Sequence, residues 1–428
     1  MNKNPLTIIT ALASSVFRAS SNVKMLGQES MMYYDPVLAG AYAISKKFSR
    51  DTIDLNHLVE TILADEEFNL ISPREGELDP MIYHPGGGVR VPVTEIIYSL
   101  FSTSFRLMYF LGLANEESVY IRTVLEGFEE LRKAVRGELV KSYEVKGLAQ
   151  ISLPPNSHLS TPWGNIRPIQ PVAGHFILPR IGQPNTSALL IESKQVPFVF
   201  DRSPSPNVTL TPPTEHDLRS AFLFPLSCAL ASRDHMNPVV PVITWSTVLI
   251  PFLDFFGFSS PMLGPIFEKQ QDASQLLEDL EEWARVVERA HSPEVDVAAK
   301  RLVSAVAHRT DKADALIDAV MVWENLLGTS NEVTFRVTAS IAKIIESDPD
   351  KRIKLKKSLS SVYGVRSRIV HGALIDATEV QDACAEAIGT AVLVLRQSYK
   401  KGRDWLSMNS AERSEKILLG NDMGRAPV

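Results

Sequence analysis

Eighteen of the chain's 27 prolines lie between Pro154 and Pro265, and only Pro293, Pro349 and Pro427 follow. Proline fixes φ, lacks a backbone donor and clashes with the preceding helical turn, so helix interiors exclude it. The chain is therefore expected to change character near residue 265. Residues 1–146 read as a mainly helical region and 147–265 as a Pro-rich, β-containing region. Residues 266–405 read as an α-helical domain and 406–428 as a polar, frayed tail. The expected class is α+β, with a helical and β-rich N-terminal region followed by an all-α C-terminal bundle.

The 428 residues exceed what one core usually holds, so two or three domains are expected. A net charge of −6 gives no general attraction to nucleic acid or anionic membrane, and any such site must be a local patch. Cys228 and Cys384 stand far apart and in no CxxC or Cys/His spacing. Two buried thiols in a reducing, cytoplasmic compartment are expected, with no structural zinc. His158, His175, His216 and His235 are spaced too widely and irregularly for a metal site, and no metal or cofactor is expected.

Two segments imitate membrane signals. Residues 1–20 carry Lys3, the apolar run Pro5–Ala13 and the small residues Ala11-Leu-Ala13, the outline of a secretion signal. Thr7, Thr10 and Ser14 weaken it. Val239–Phe258 is apolar, but Pro241, Pro251 and Asp254 interrupt it. A spanning helix needs about 20 predominantly apolar residues, so a buried strand plus a short helix is expected and no membrane partner.

Periodicity places N-terminal helices at Asp51–Glu66, Pro92–Leu113 and Glu116–Arg136. Leu148–Leu153, Ala188–Glu192 and Val196–Phe200 are apolar runs bounded by turn residues, and read as strands. His84-Pro-Gly-Gly-Gly88 reads as a loop without the flanks of a phosphate-binding loop. Leu276, Leu277, Leu280, Trp283, Ala284 and Val287 form one helical stripe. Further helices are expected at Val295–His308, Lys312–Leu327, Val333–Glu346, Lys351–His371 and Thr378–Lys400.

Within Lys351–His371, Leu355, Leu359, Val362, Ile369 and Val370 fall on one face at 100° per residue. Arg366 lies in the middle of that face, Arg368 points away from it, and His371 precedes Gly372, a helix stop. Lys351, Arg352, Lys354, Lys356, Lys357, Arg366 and Arg368 follow one another with no acidic residue between them. Such a stripe suits an RNA backbone, though a solvated basic face has the same composition. An arginine on an apolar face needs a partner. Glu324 supplies one, lying within the apolar face Ile317, Val320, Met321, Trp323 and Leu327 of another helix. Two readings stay open: a buried Glu324–Arg366 pair that fixes helix packing, and an Arg366 that faces a cleft or subunit interface and binds phosphate.

Tyr363-Gly-Val-Arg-Ser-Arg-Ile-Val-His-Gly372 resembles the signature of the HEPN superfamily: an arginine, four to six residues, then a histidine. Ser367 matches the polar residue that follows the arginine. The form YxxRSxxVHG and the stretch Ala319-Val-Met-Val-Trp-Glu-Asn-Leu-Leu327 look most like the Apea-like group, with Glu324 at its acidic position. The likeness covers residues 300–400. It implies a helical bundle that dimerises, placing two Arg/His motifs across a shared groove. It also implies a metal-independent endoribonuclease of the kind found among toxins and antiviral abortive-infection proteins, with residues 1–265 answering an unidentified trigger ligand or protein. On that likeness His371 exchanges protons with the ribose 2′-OH or the leaving 5′-oxygen, and Arg366 holds the scissile phosphate. Attack by the 2′-OH leaves a 2′,3′-cyclic phosphate. Glu324 and Ser367 support the site, and Lys354, Lys356, Lys357 and Arg368 track the RNA backbone. Other family members keep the fold as non-catalytic dimerisation or partner-binding modules, which would leave Arg366 simply paired to Glu324.

Overall fold

The computed structural model describes residues 4–21, 52–68, 71, 81–84, 87–90, 93–149, 151–154, 157–169, 186–201, 215–253, 271–272, 277–329 and 332–420. The helices are α1 (Pro5–Ser21), α2 (Thr52–Leu63), α3 (Val93–Leu111), α4 (Glu117–Val135), α5 (Glu215–Ala231), α6 (Leu277–Ala290) and α7 (Asp296–Val303). They continue with α8 (Lys312–Leu327), α9 (Val333–Ile345), α10 (Pro349–Val370), α11 (Ala377–Lys400), α12 (Arg403–Leu406) and α13 (Ser410–Leu419). The strands are β1 (Met81–His84), β2 (Gly87–Arg90), β3 (Val140–Ala149), β4 (Ile151–Ser152) and β5 (Leu159–Thr161). They continue with β6 (Gly164–Pro168), β7 (Thr186–Val196), β8 (Val199–Asp201), β9 (Val242–Leu249) and β10 (Gln271–Asp272). The class is α+β. The chain forms two compact units, each assembled from separated stretches.

The first unit comprises Met1–Leu148, Gly164–Thr214 and Ile243–Pro261. In α1, Ile9, Ala13 and Val16 recur at i, i+4 and i+7 and are fully buried against Leu58, Ile62, Ile97, Phe101 and Tyr120. Within the run Pro5–Ala13, Ile8, Ile9, Leu12 and Ala13 thus face the core, and Lys3 lies outside the described residues. Phe105 packs on both Phe17 and Tyr120, with ring centroids 6.4 and 4.2 Å away. Ser14 and Arg18 of α1 both donate to Glu117 at the start of α4. The order β6-β7-β3-β9 carries a second cluster in which Val145, Leu189, Ile191, Trp245 and Leu249 meet Leu107, Tyr109 and Phe110 of α3. Gly147 is required there, because a Cβ would fall 2.3 Å from the Trp245 indole nitrogen.

Several sequence expectations are corrected. His84–Gly88 is the end of an antiparallel hairpin, β1 pairing β2 from Met81↔Arg90 to His84↔Gly87, with residues 85–86 outside the described residues. The run Val196–Phe200 is divided between β7 and β8. Within Val239–Phe258, β9 ends at Leu249 and a turn follows to Leu253; residues 254–258, where the expected short helix would continue, lie outside the described residues. Among the described residues no helix is long and apolar enough to cross a membrane.

The second unit comprises Ala149–Trp163, Glu215–Val242 and Met262–Val428. It contains a helix that the proline map does not foresee: α5 runs through Pro225. Leu223 to Ala231 are all buried, so packing on every side of this segment outweighs the roughly 3 kcal/mol cost of an interior proline. Arg396 donates to the Leu230 and Ser232 carbonyls and so closes the end of α5. The expected helix Val295–His308 is a 3₁₀ turn, α7 and a π-helical turn Ser304–His308. Residues after Trp405 are no frayed tail up to Gly420. Helix α13 has a capping box at Asn409 and Glu412, and buries Arg413, Ser414 and Ile417; residues 421–428 lie outside the described residues. Cys228 and Cys384 are buried free thiols.

Candidate functional site

Helix α8 is the centre of the second unit. It is apolar nearly all round, with Leu316, Val320, Trp323 and Leu327 fully buried, as expected of a helix enclosed by others. The Asp311 carboxylate caps its start by accepting from Ala313 N–H and Asp314 N–H. Arg413 closes its far end, donating to the Asn325 and Leu326 carbonyls. The Trp323 indole N–H donates to the Ala387 carbonyl of α11 at 3.2 Å. Glu324, next in sequence, is therefore carried on a firmly held turn.

Helix α10 begins at the N-cap Asp348, which accepts from Lys351 N–H, with Pro349 in the first turn. It stays regular to Val370. Gly372 then takes φ +76°. Its N–H donates to the Ile369 carbonyl, and Ala373 N–H donates to the Arg368 carbonyl, each at 2.9 Å. These are the two bonds of a Schellman ending, which the glycine makes possible. His371 is the C-cap (φ −89°, ψ 9°), and its own N–H donates to the Ser367 carbonyl at 3.1 Å.

Leu359, Val362, Tyr363 and Val365 form the buried face of α10. Leu355 and Ile369 are partly covered. Val370, expected on that face, is 52% exposed because the helix ends there. Arg366 lies within that face and is partly covered. Its Nη2 lies 3.8 Å from Glu324 Oε2, and the two side chains are 28% and 29% exposed. The structure thus brings Arg366 and Glu324 together, but at a distance beyond hydrogen bonding. Arg366 Nε is buried and has no acceptor among the described residues. His371 is exposed, and so is Ser367.

The seven cations do not form one free stripe. Arg352 donates to the Glu346 and Ser347 carbonyls. Arg368 is ion-paired to Glu379 of α11, and Lys356 Nζ sits 4.9 Å from the centre of the exposed Phe335 ring. Lys351, Lys354 and Lys357 remain exposed. Among the described residues, no partner is seen for Lys354 and Lys357 of the four expected backbone-tracking cations.

The motif named Tyr363 without giving it a role, and two buried polar clusters were not foreseen. Tyr363, three residues before Arg366, is 7% exposed, and its ring lies 5.8 Å from that of Trp323. Its hydroxyl is buried and makes no well-formed hydrogen bond among the described residues. Burial, and then the neighbouring Glu324 carboxylate, push its pKa up, with Arg366 partly opposing. Its place on the apolar face beside Arg366 was the available signal. Asp318 is 1% exposed and accepts from Arg301, Ser304 and Arg309, each at 2.7 Å. Burial alone would raise its pKa, but Arg309, Ser304 and Arg301 together hold it below the usual carboxylate range. His291 is buried between Tyr399 and Asp296, its two ring nitrogens 2.7 Å from the Tyr399 hydroxyl and from Asp296 Oδ1. No sequence spacing announced either cluster.

His158 is exposed and His235 partly covered, while His175 and the side chain of His216 lie outside the described residues. Among the described residues no group of three or more His, Cys, Asp or Glu is placed to hold a metal ion. No family model, curated protein or solved structure matches this chain.

Proposed function

We propose that the chain is an endoribonuclease of HEPN type that cleaves RNA by 2′-OH attack. The observation that carries this reading is a loosely held Arg366 five residues before an exposed His371 at the end of the same helix. The reaction needs a group that takes a proton from the 2′-OH, one that returns a proton to the 5′-oxygen, and a cation at the phosphate. An imidazole suits either proton transfer near neutral pH, and a guanidinium matches phosphate geometry. The products are a 2′,3′-cyclic phosphate and a 5′-OH. Lys354 and Lys357 lie along the backbone path, with Ser367 beside Arg366. A second copy supplies the facing motif. Val370 and Leu374, 52% and 103% exposed, flank His371 and offer that copy an apolar contact. A toxin or antiviral role, restrained by residues 1–265 until a trigger arrives, extends the same proposal. The test is incubation of the full chain with RNA in chelator, with end-group analysis of the products. Cyclic-phosphate ends from wild type, and none from His371→Ala, are expected; equal cleavage by both overturns the assignment.

The Glu324–Arg366 contact also favours a second reading, a non-catalytic HEPN module used for dimerisation or partner binding. On that reading the pair serves only packing, and wild type leaves RNA intact under every condition.

A further inference from the structure

On the ribonuclease reading, Glu324 and the RNA phosphate compete for one guanidinium. A carboxylate that gripped Arg366 through two short bonds would hold it away from substrate, whereas Glu324 lies 3.8 Å off. Arg366 Nε and the Tyr363 hydroxyl are both buried, and neither makes a well-formed hydrogen bond among the described residues. Tyr363 and Arg366 stand three apart on α10 and so share a face of the helix. The Tyr363 ring packs on Trp323, the residue before Glu324, and the Trp323 indole is tied to α11. One carboxylate is thus flanked by two donors, and neither is fully satisfied. The Tyr363 hydroxyl lies close enough to Glu324 for that carboxylate to push its pKa up, a place where phenylalanine would offer the carboxylate no donor.

We propose that Tyr363 is a positioning residue that acts through Glu324: its hydroxyl takes over the carboxylate when Arg366 leaves Glu324 for an RNA phosphate. This rests on the reading of Arg366 as the phosphate-binding group. Rotation about the last torsion of Glu324 is enough to turn its oxygens from one donor toward the other. Without the hydroxyl, releasing Arg366 strands a half-buried charge, and the guanidinium stays with Glu324. The effect falls on RNA binding and leaves the proton transfers of His371 alone.

The experiment compares full-length wild type, Tyr363→Phe, Glu324→Gln and the double variant. It measures KM and kcat for RNA cleavage and affinity for an uncleavable 2′-O-methyl RNA. It also follows the Arg366 Nε–H signal by nitrogen-15 NMR on arginine-labelled protein. Tyr363→Phe should raise KM and weaken analogue binding about 10-fold, as for one hydrogen bond to a charged group, with kcat within about 3-fold. Its Arg366 Nε–H should exchange more slowly as Glu324 closes on it. In the Glu324→Gln background the same change should do nothing further. Unchanged binding in Tyr363→Phe, a fall in kcat at constant KM, or an equal loss in the Glu324→Gln background overturns the proposal. If wild type neither binds nor cleaves RNA, the ribonuclease reading fails by itself. The NMR signal still decides whether Tyr363 governs the Glu324–Arg366 contact, and an Nε–H unaltered in Tyr363→Phe refutes it.

Discussion

Arg366 Nη2 stands 3.8 Å from Glu324 Oε2, joining α10 to α8 by an ion pair that water still reaches on both sides. A pair this long and this exposed contributes little to stability. Glu324→Gln and Arg366→Gln should each lower unfolding free energy by about 1 kcal/mol or less, well short of the ~3–5 kcal/mol expected when a fully buried pair is broken. Cleavage should respond differently, with Arg366→Gln losing at least about 100-fold in kcat/KM, as for removal of one oxyanion donor. Urea titration and RNA cleavage on the same preparations separate the two effects. A loss of several kcal/mol with no activity to lose would favour the packing reading.

The part of this site legible in the sequence is the part set by helical period. Leu359, Val362 and Arg366 share a face because α10 is regular, and Gly372 marks its end because a Schellman ending needs positive φ. What escaped the sequence depends on neighbours brought in from elsewhere. Arg368 looks free on a helical wheel, yet Glu379 arrives from the next helix. Val370 keeps the period of the face, but the face ends one residue too soon to cover it. Pro225 suggests loop, and the packing of Leu223 to Ala231 overrides it. The polar composition of residues 410–419 suggests fraying, because the use of Arg413 depends on carbonyls more than eighty residues away.

Arg413 is such a case in its own right. It is 1% exposed and donates to the carbonyls of Asn325, Leu326, Leu406 and Met408, with burial pulling its pKa below the ordinary arginine value. Arg413→Met fills the space of the aliphatic stem but strands carbonyls at the C-terminal end of α8. The expected loss is about 2–4 kcal/mol, since each buried unsatisfied group costs ~1–3 kcal/mol. Thermal unfolding measures it, and hydrogen exchange should place the loosening at Trp323–Leu327, next to Glu324.

Ile9 tests whether α1 belongs to the folded unit. Its side chain is fully buried with Ala13 and Val16. Ile9→Ala should cost about 2–5 kcal/mol, whereas Leu6→Ala, at a half-exposed position on the same helix, should cost well under about 1 kcal/mol. Equal and small losses at both positions in denaturant titrations would detach α1 from the core.

Asp318 gives the second unit a defined acid sensitivity. Arg309, Ser304 and Arg301 hold its carboxyl below the usual range despite burial. A carboxylate whose pKa is lower in the folded than in the unfolded chain adds stability that is complete above the unfolded value, about 3.9 for Asp. That contribution is lost as pH falls through the lower, folded value. Asp318→Asn removes the charge at every pH and leaves one neutral amide oxygen where Arg301 and Arg309 each had a carboxylate oxygen. At pH 7 the variant should be less stable by about 3 kcal/mol, as for breaking a buried charge network. The gap to wild type should hold down to about pH 4 and narrow below it, as wild-type Asp318 itself takes up a proton. Urea titrations of both proteins between neutral and acid pH measure this convergence. A gap that stays constant through the acid range would mean that the Asp318 charge contributes nothing, and that the loss came from packing.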